Sequence, residues 1–258
     1  MTWDPAQYSL FANERARPFF DLLARLTWER VQSVADLGCG SGELTTALAE
    51  RWPGATVIGV DSSPEMLRHA QEAAVPGRVE FVQADIAAWR SPRPLDLIFS
   101  NAALQWLPDH ERLLADLVGM LAPAGALSVQ MPHYFETPAH RVIAEVVARP
   151  RWRPRLGGVG LQRGAVQPLA WYVERLLRLG LTVDAWETTY VHVLRGDNPA
   201  LEWTKGTALR PLLARLEGAE RDEFLRDVGT ELRAAYPPRE GATLFPFPRL
   251  FFVATRKV

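Results

Sequence analysis

Between residues 31 and 131, short apolar runs alternate with amphipathic stretches, and this rhythm constrains the fold more than any other feature of the chain. Residues 31–37 read as a strand, GCGSG as a tight loop, and 43–52 as a helix stopped by Pro53 and Gly54. The unit recurs with a strand at 56–60 and helix at 64–74, a strand at 79–83 and short helical segment at 86–89, and a strand at 95–100 and helix at 109–121. A fifth strand is expected at 126–131. Parallel neighbours need crossover connections, so this alternation predicts an α/β fold, a mostly parallel sheet wound by helices on both faces. Runs such as LDLIF suit strands covered on both sides.

Before this pattern, Phe19, Phe20, Leu22, Leu23 and Leu26 fall on helical spacing and predict an N-terminal helix over about 14–27. After it the reading is less regular: helices at 139–148, 169–179, 199–216 and 220–235, a strand at 182–193, and a β-rich end at 244–257. With 258 residues and 48% hydrophobic composition the chain can bury the core of one large domain.

No apolar stretch approaches the ~20 residues of a membrane-spanning helix, and MTWDPAQYS lacks the basic and apolar runs of a signal peptide. A cytoplasmic protein without membrane contact is the expectation. Cys39 is the single cysteine, so neither an intrachain disulfide nor a cysteine-rich zinc site can form, and five scattered histidines complete no metal motif. A net charge of −1 gives no support to nucleic-acid binding. The charge is uneven, however: residues 1–132 hold 10 basic and 16 acidic side chains, residues 133–258 hold 19 and 14.

The strongest local signal is VADLGCGSGELT, a strand that ends in Gly38-x-Gly40-x-Gly42 and opens a helix. Glycines there allow a sharp turn and a close approach to a ligand. The second strand ends at Asp61, 19 residues after Gly42, where nucleotide folds place a carboxylate for ribose hydroxyls. The third ends before Asp85, placed to accept from an adenine amino group. Asp36 stands two residues before Gly38, where a carboxylate repels a pyrophosphate and favours a cation. Charge therefore favours S-adenosyl-L-methionine over NAD, and the glycine spacing agrees. Purely local roles remain open for each acid: Asp36 as a cap for nearby amides, Asp61 and Asp85 as helix openers.

In these segments the sequence resembles the class I S-adenosylmethionine-dependent methyltransferases. VADLGCGSGELT, GVDSSPEML, QADIAAW and LDLIFSNAALQWLPD match four of that family's motifs in order over roughly residues 31–131. The resemblance implies a seven-stranded Rossmann-like sheet whose last strand, supplied by RLFFVATRK, is antiparallel. It also implies that Gly38 and Gly40 line the methionine portion, Asp61 with Ser62 holds the ribose, Met66 packs the adenine, Asp85 and Ile86 frame its edge, and Asn101 lies near the amino-acid end. Arg15 is expected to reach the cofactor's carboxylate from an N-terminal lid that Trp3 and Tyr8 help to close.

Further segments, WDPAQYSLFANERARPFFDLL, SVQMP, LRPLLARLEG and FPFPRLFFVA, resemble the trans-aconitate 2-methyltransferases across nearly the whole chain. That resemblance implies monomethyl esterification of a small anionic polycarboxylate, S-adenosyl-L-homocysteine as product, and no catalytic base. The acceptor's other carboxylates need cationic partners; Arg210 and Arg249, each a charge within an apolar run, are the candidates. Tyr190, His192 and His133 are possible donors, and Gln105 and Trp106 lie where class I enzymes place acceptor-facing residues. The expected organisation is one domain over 1–258, with a lid at 1–30, a cofactor-binding core at 31–131, and remaining strands with a helical cap at 132–258. Other acids, amines or carbon acceptors stay open, as does a cofactor-binding module without catalysis.

Overall fold

The computed structural model describes residues 12–133, 135–159 and 166–256, with side chains from residue 16 onward. Seven strands form one sheet: β1 (Ser33–Leu37), β2 (Thr56–Asp61), β3 (Val79–Gln83), β4 (Leu95–Asn101), β5 (Leu121–Pro132), β6 (Leu181–Leu194) and β7 (Thr243–Arg256). Their order is β3-β2-β1-β4-β5-β7-β6. The pairs from β3 through β5 are parallel, and β7 is antiparallel to both β5 and β6. The strand order reverses between β1 and β4, and in open α/β sheets the crevice beyond the carboxyl ends at such a point is where ligands bind.

Helices cover both faces, as the alternation requires. On one face α1 (Ala12–Ala24), α2 (Glu43–Arg51) and α3 (Pro64–Ala70) bury Phe19, Leu22, Leu48 and Leu67 against Val34, Leu97, Phe99 and Phe251. On the other, α4 (His110–Gly119) and α7 (Leu169–Arg178) bury Leu113, Leu117, Tyr172 and Leu176 against Ile98, Leu127, Val129 and Phe252. Local chemistry sets the helix starts. The Ser63 hydroxyl accepts the Met66 amide before Pro64, and Asp109 and Thr137 cap the helices that follow them in the same way.

A third cluster forms the cap. It gathers α5 (Pro138–Ala148), α6 (Arg153–Leu156), α8 (Pro199–Lys205), α9 (Arg210–Leu213) and α10 (Gly218–Ala235) around Trp152, Trp203 and Phe224. Leu194 at the end of β6 and Phe245 and Phe247 at the start of β7 belong to the same cluster. Because β7 runs backwards, its first residues lie at the carboxyl edge of the parallel strands. The cap is thereby set beside the crevice.

Boundaries differ from expectation at several points: α1 ends at Ala24 rather than near 27, and α3 ends at Ala70 rather than 74. Strand β5 starts at Leu121 because the Pro123–Gly125 turn signal is absorbed as a register irregularity within the strand, with Ala124 at φ 60°. The helix expected over 199–216 divides into α8 and α9, separated at Gly206. Residues 86–88 form only turns, closed by Ala88 and Trp89 amides on the Asp85 carbonyl.

A buried hydrogen-bond chain fixes the turn after β4. His110 Nε2 lies 2.9 Å from the Leu104 carbonyl, so it carries the proton; Nδ1 then accepts from the Tyr172 hydroxyl at 2.6 Å. The Tyr172 oxygen in turn accepts from the Gln167 amide. Neutral imidazole satisfies every member, and burial holds the His110 pKa below its ordinary value. The unfolded chain takes up this proton near pH 6.5, so the contribution is complete above that pH and is lost as pH falls below it. Tyr172→Phe leaves Nδ1 without its donor and is expected to cost about 1–3 kcal/mol in urea denaturation at pH 7.5. Unchanged stability in that variant would contradict the network.

Candidate cofactor and acceptor site

Strand β1 delivers the glycine loop to the crevice, and β2 holds it there. The Gly38 and Cys39 amides both donate to the Val60 carbonyl, at 2.8 and 3.2 Å, and the Gly40 amide donates to Asp61 Oδ2 at 2.9 Å. The Gly42 amide returns to the Cys39 carbonyl. Four loop amides are thus engaged within the protein. A loop that cradles phosphate has to offer such groups to the ligand, so this one is poorly suited to a pyrophosphate.

The glycines serve different ends. Gly38, at φ 82°, passes so close to the chain after β4 that a Cβ would come within 2.2 Å of the Ala103 side chain. Gly40, at φ 56°, has among the described residues only the Met66 methyl within contact range, 3.6 Å from where a Cβ would stand. Gly38 is needed for packing; Gly40 leaves space beside Met66.

Asp36 is buried and accepts the Thr45 hydroxyl at 2.6 Å. Burial raises its pKa to about 6 against the pull of the Thr45 bond, and the neighbouring Asp61 charge pushes it further up. Asp61 accepts the Ser63 amide as well as Gly40 and stays partly exposed, with Ser62 exposed beside it. Asp85 is exposed and accepts the Ala87 amide, while Ile86 is buried within 3.9 Å of the position a Cβ on Gly38 would take. Asn101, ending β4, carries a buried Oδ1 that accepts no hydrogen bond among the described residues. An unpaired buried oxygen, two clustered carboxylates and an open cradle at Gly40 fit a ligand bearing cationic and donor groups. The residues present therefore suit S-adenosylmethionine. Arg15 lies within α1 but its side chain is outside the described residues, as are Trp3 and Tyr8.

The acceptor candidates are more scattered. Arg249 is 3% exposed, pairs with Pro132 at the end of β5, donates from Nη1 to Gln130 Oε1 at 3.2 Å and stacks over the Phe247 ring at 4.9 Å. His133 follows β5 and lies 2.9 Å from Glu187 Oε1. Tyr190 points toward α1 instead, donating to Asp21 at 2.6 Å beneath the Arg17 guanidinium. His192 is buried against the Trp203 ring at 4.6 Å. Arg210 opens α9 in the cap. Gln105 donates to the Ala102 carbonyl at 2.7 Å and leaves Oε1 buried without a partner, whereas Trp106 is 53% exposed. Gln130 and Ser128, which carry no motif signal in the sequence, are fully buried on β5, and Gln130 Nε2 and Ser128 Oγ have no partner among the described residues.

Residues 34–125 match the family model of a methyltransferase domain. The chain is 46% identical over 263 residues to a trans-aconitate 2-methyltransferase of Streptomyces coelicolor, covering 99% of this chain and 87% of that one. The protein of the same name from Azoarcus sp. is 47% identical over 259 residues, with 99% of each chain covered. This chain belongs to the trans-aconitate 2-methyltransferase family. The Mycobacterium tuberculosis member is 42% identical over 98% of this chain and 96% of its own. Among solved structures, the YcgJ protein of Bacillus subtilis superposes with a TM-score of 0.62 at 16% identity, over 93% of this chain and 97% of that one. The [4+2]-cyclase SpnF has a TM-score of 0.56 at 14% identity, over 94% and 81%. A cyclase among the neighbours means that the shared fold does not choose the chemistry.

Burial of Asp36 ties stability to pH. Its folded pKa of about 6 exceeds the ordinary 3.8, so the folded chain holds the proton more tightly and stability declines as pH rises from about 4 to about 6. Above pH 6 the penalty is complete. Asp36→Asn is therefore expected to raise stability at pH 7.5 by about 1–3 kcal/mol. The same variant should weaken S-adenosylmethionine by about tenfold relative to the uncharged thioether S-adenosylhomocysteine, in paired calorimetric titrations. An unchanged affinity ratio would remove Asp36 from the field that holds the cation.

Proposed function

We propose that the protein transfers a methyl group from S-adenosyl-L-methionine to one carboxylate of trans-aconitate, giving the monomethyl ester and S-adenosyl-L-homocysteine. The observation that carries this reading is identity of 42–47% over nearly the full length of three trans-aconitate 2-methyltransferases. The buried Arg249 at the carboxyl edge of the sheet supports it. We read residues 1–258 as one methyltransferase domain, cytoplasmic, in which 31–131 carry the cofactor and the cap side receives the acceptor.

Bound S-adenosylmethionine supplies a sulfonium methyl group that an anionic oxygen can take. The chain's own task is to bring the two together. A carboxylate of pKa about 4 is already ionised at neutral pH, so no side chain has to remove a proton. Gly38, Gly40, Asp61 with Ser62, Met66, Asp85, Ile86 and Asn101 hold the cofactor, with Asp36 supplying negative charge behind the loop. Placing both partners at adjacent strand ends turns an encounter into an intramolecular step.

Arg249 answers the remaining charge of the acceptor. A guanidinium binds a carboxylate through two parallel hydrogen bonds, which suits it to a polycarboxylate acceptor. Arg210, His133 and Gln105 are assigned to the same pocket from the cap and strand-end sides, with Trp106 at its mouth. Tyr190 and His192 are assigned supporting places under Arg249, since their described contacts are with Asp21 and Trp203.

Incubation with trans-aconitate and S-adenosylmethionine, followed by mass spectrometry, is expected to yield a methyl ester of the acid; absence of any ester would overturn the assignment. Arg249→Met is expected to lower kcat/KM for trans-aconitate by about 30-fold or more, the equivalent of at least about 2 kcal/mol for an unpaired buried carboxylate. Affinity for S-adenosylhomocysteine should stay within about threefold, a difference below about 0.7 kcal/mol. Equal losses in both would place Arg249 in the fold rather than in the acceptor site.

A further inference from the structure

We infer that Gln130 is a specificity-determining residue whose side-chain amide donates to the acceptor carboxylate held beside Arg249. The inference rests on the methyl-transfer reading above and adds to it a residue that reads the acceptor.

The geometry begins with register. Asn101 on β4 aligns with Gln130 on β5, Gln130 aligns with Phe251 on β7, and Pro132 aligns with Arg249. Alternate residues of a strand share a face, so Asn101, Gln130 and Arg249 all project to the face covered by α1 and α2. Gln130 therefore stands between the cofactor-side strand end and the buried cation.

The orientation of its amide is decided by its partner. A guanidinium has donors only, so the group that Arg249 Nη1 approaches at 3.2 Å must be the oxygen. The NH2 group is then forced to point away from Arg249. There it is fully buried and has no acceptor among the described residues. A buried amide donor without a partner costs about 1–3 kcal/mol, and natural cores seldom keep one without use. On the neighbouring strand Asn101 Oδ1 is buried and unpaired too, but as an acceptor. Two unmet groups of opposite kind on adjacent strand ends match a pair of ligands: a donor-bearing cofactor at Asn101 and an oxygen-rich anion at Gln130. A carboxylate beside Arg249 would accept from Nε2 while Oε1 keeps the guanidinium in place. Gln130 would thus distinguish a carboxylate from a group that presents hydrogens.

The test compares Gln130→Glu and Gln130→Met with wild type, using trans-aconitate and an aconitate monoamide as acceptors. Wild-type turnover of trans-aconitate is measured first; its absence would overturn both the functional reading and this inference. With turnover present, Gln130→Glu exchanges the donor for a second acceptor and is expected to lower kcat/KM for trans-aconitate by about 100-fold or more, as for sites that lose a specific hydrogen bond to substrate. The monoamide should lose much less, so the acid-to-amide preference shifts toward the amide by at least about tenfold. Affinity for S-adenosylhomocysteine should be unchanged. Gln130→Met, uncharged and of similar size, is expected to lose about tenfold on the acid without gaining preference for the amide. Were Gln130 only a support for Arg249, Gln130→Glu would keep an oxygen for the guanidinium and lower acid and amide turnover alike. That outcome, or wild-type acid kinetics in either variant while the wild-type enzyme remains active, would overturn the inference.

Discussion

The hydrogen bond from the Gly40 amide to Asp61 ties the end of β1 to the end of β2, and the shape of the crevice depends on it. Together with the two amides on the Val60 carbonyl, it converts a glycine-rich loop into a rigid shelf. Its cost is electrostatic. Asp61 is held close enough to Asp36 to add to the burial penalty on that carboxyl. A protein that only needed a tight turn would have no use for two acids in such a place. A cationic ligand makes the arrangement favourable, because it relieves the repulsion that the fold imposes.

The second half of the site arises from the direction of β7. A sheet with parallel strands throughout would put the first residues of its last strand at the opposite edge. Running antiparallel, β7 instead carries Arg249 to Pro132 at the carboxyl end of β5 and passes Phe245 and Phe247 into the cap. Much of the basic excess after position 132 lies in surface ion pairs. Arg149, Arg151 and Arg155 pair with Glu231, Glu223 and Glu220 on the cap surface, where such pairs contribute little. Arg249 is the one arginine buried among the described residues, and net charge by halves is a poor guide to it.

Much of this was legible in the sequence because period and punctuation act locally. The strand spans around Leu37, Val60, Gln83 and Ser100 fall within a residue or two of those observed; β1 and β4 are apolar runs buried on both faces, which leaves few alternatives, while edge strand β3 buries only Val79 and Phe81 and is marked by alternation. The break in the helix at Gly206 and the early start of β5 depend on packing of the cap and on a tolerated irregularity, neither of which has a periodic signature. The site divides the same way. The motif glycines and acids come from one βαβ rhythm and meet in one crevice. Tyr190 and His192 sit on a strand whose partners, Asp21 and Trp203, are remote in sequence, so their bonding could not be read from spacing. Gln130 is similarly hard to single out from spacing. Its signal was present in LSVQMP, where polar Ser128 and Gln130 alternate with apolar neighbours in a strand that is otherwise buried. Only the register with Asn101 and Arg249 gives that alternation a meaning.

A loop with its amides turned inward, flanked by Asp36 and Asp61, selects a cationic nucleoside over a dinucleotide. Calorimetric titration of the intact protein with S-adenosylmethionine and, separately, with NAD tests it most directly. One equivalent of S-adenosylmethionine is expected to bind while NAD produces no saturable heat. Saturable NAD binding, or no complex with S-adenosylmethionine, would contradict the account.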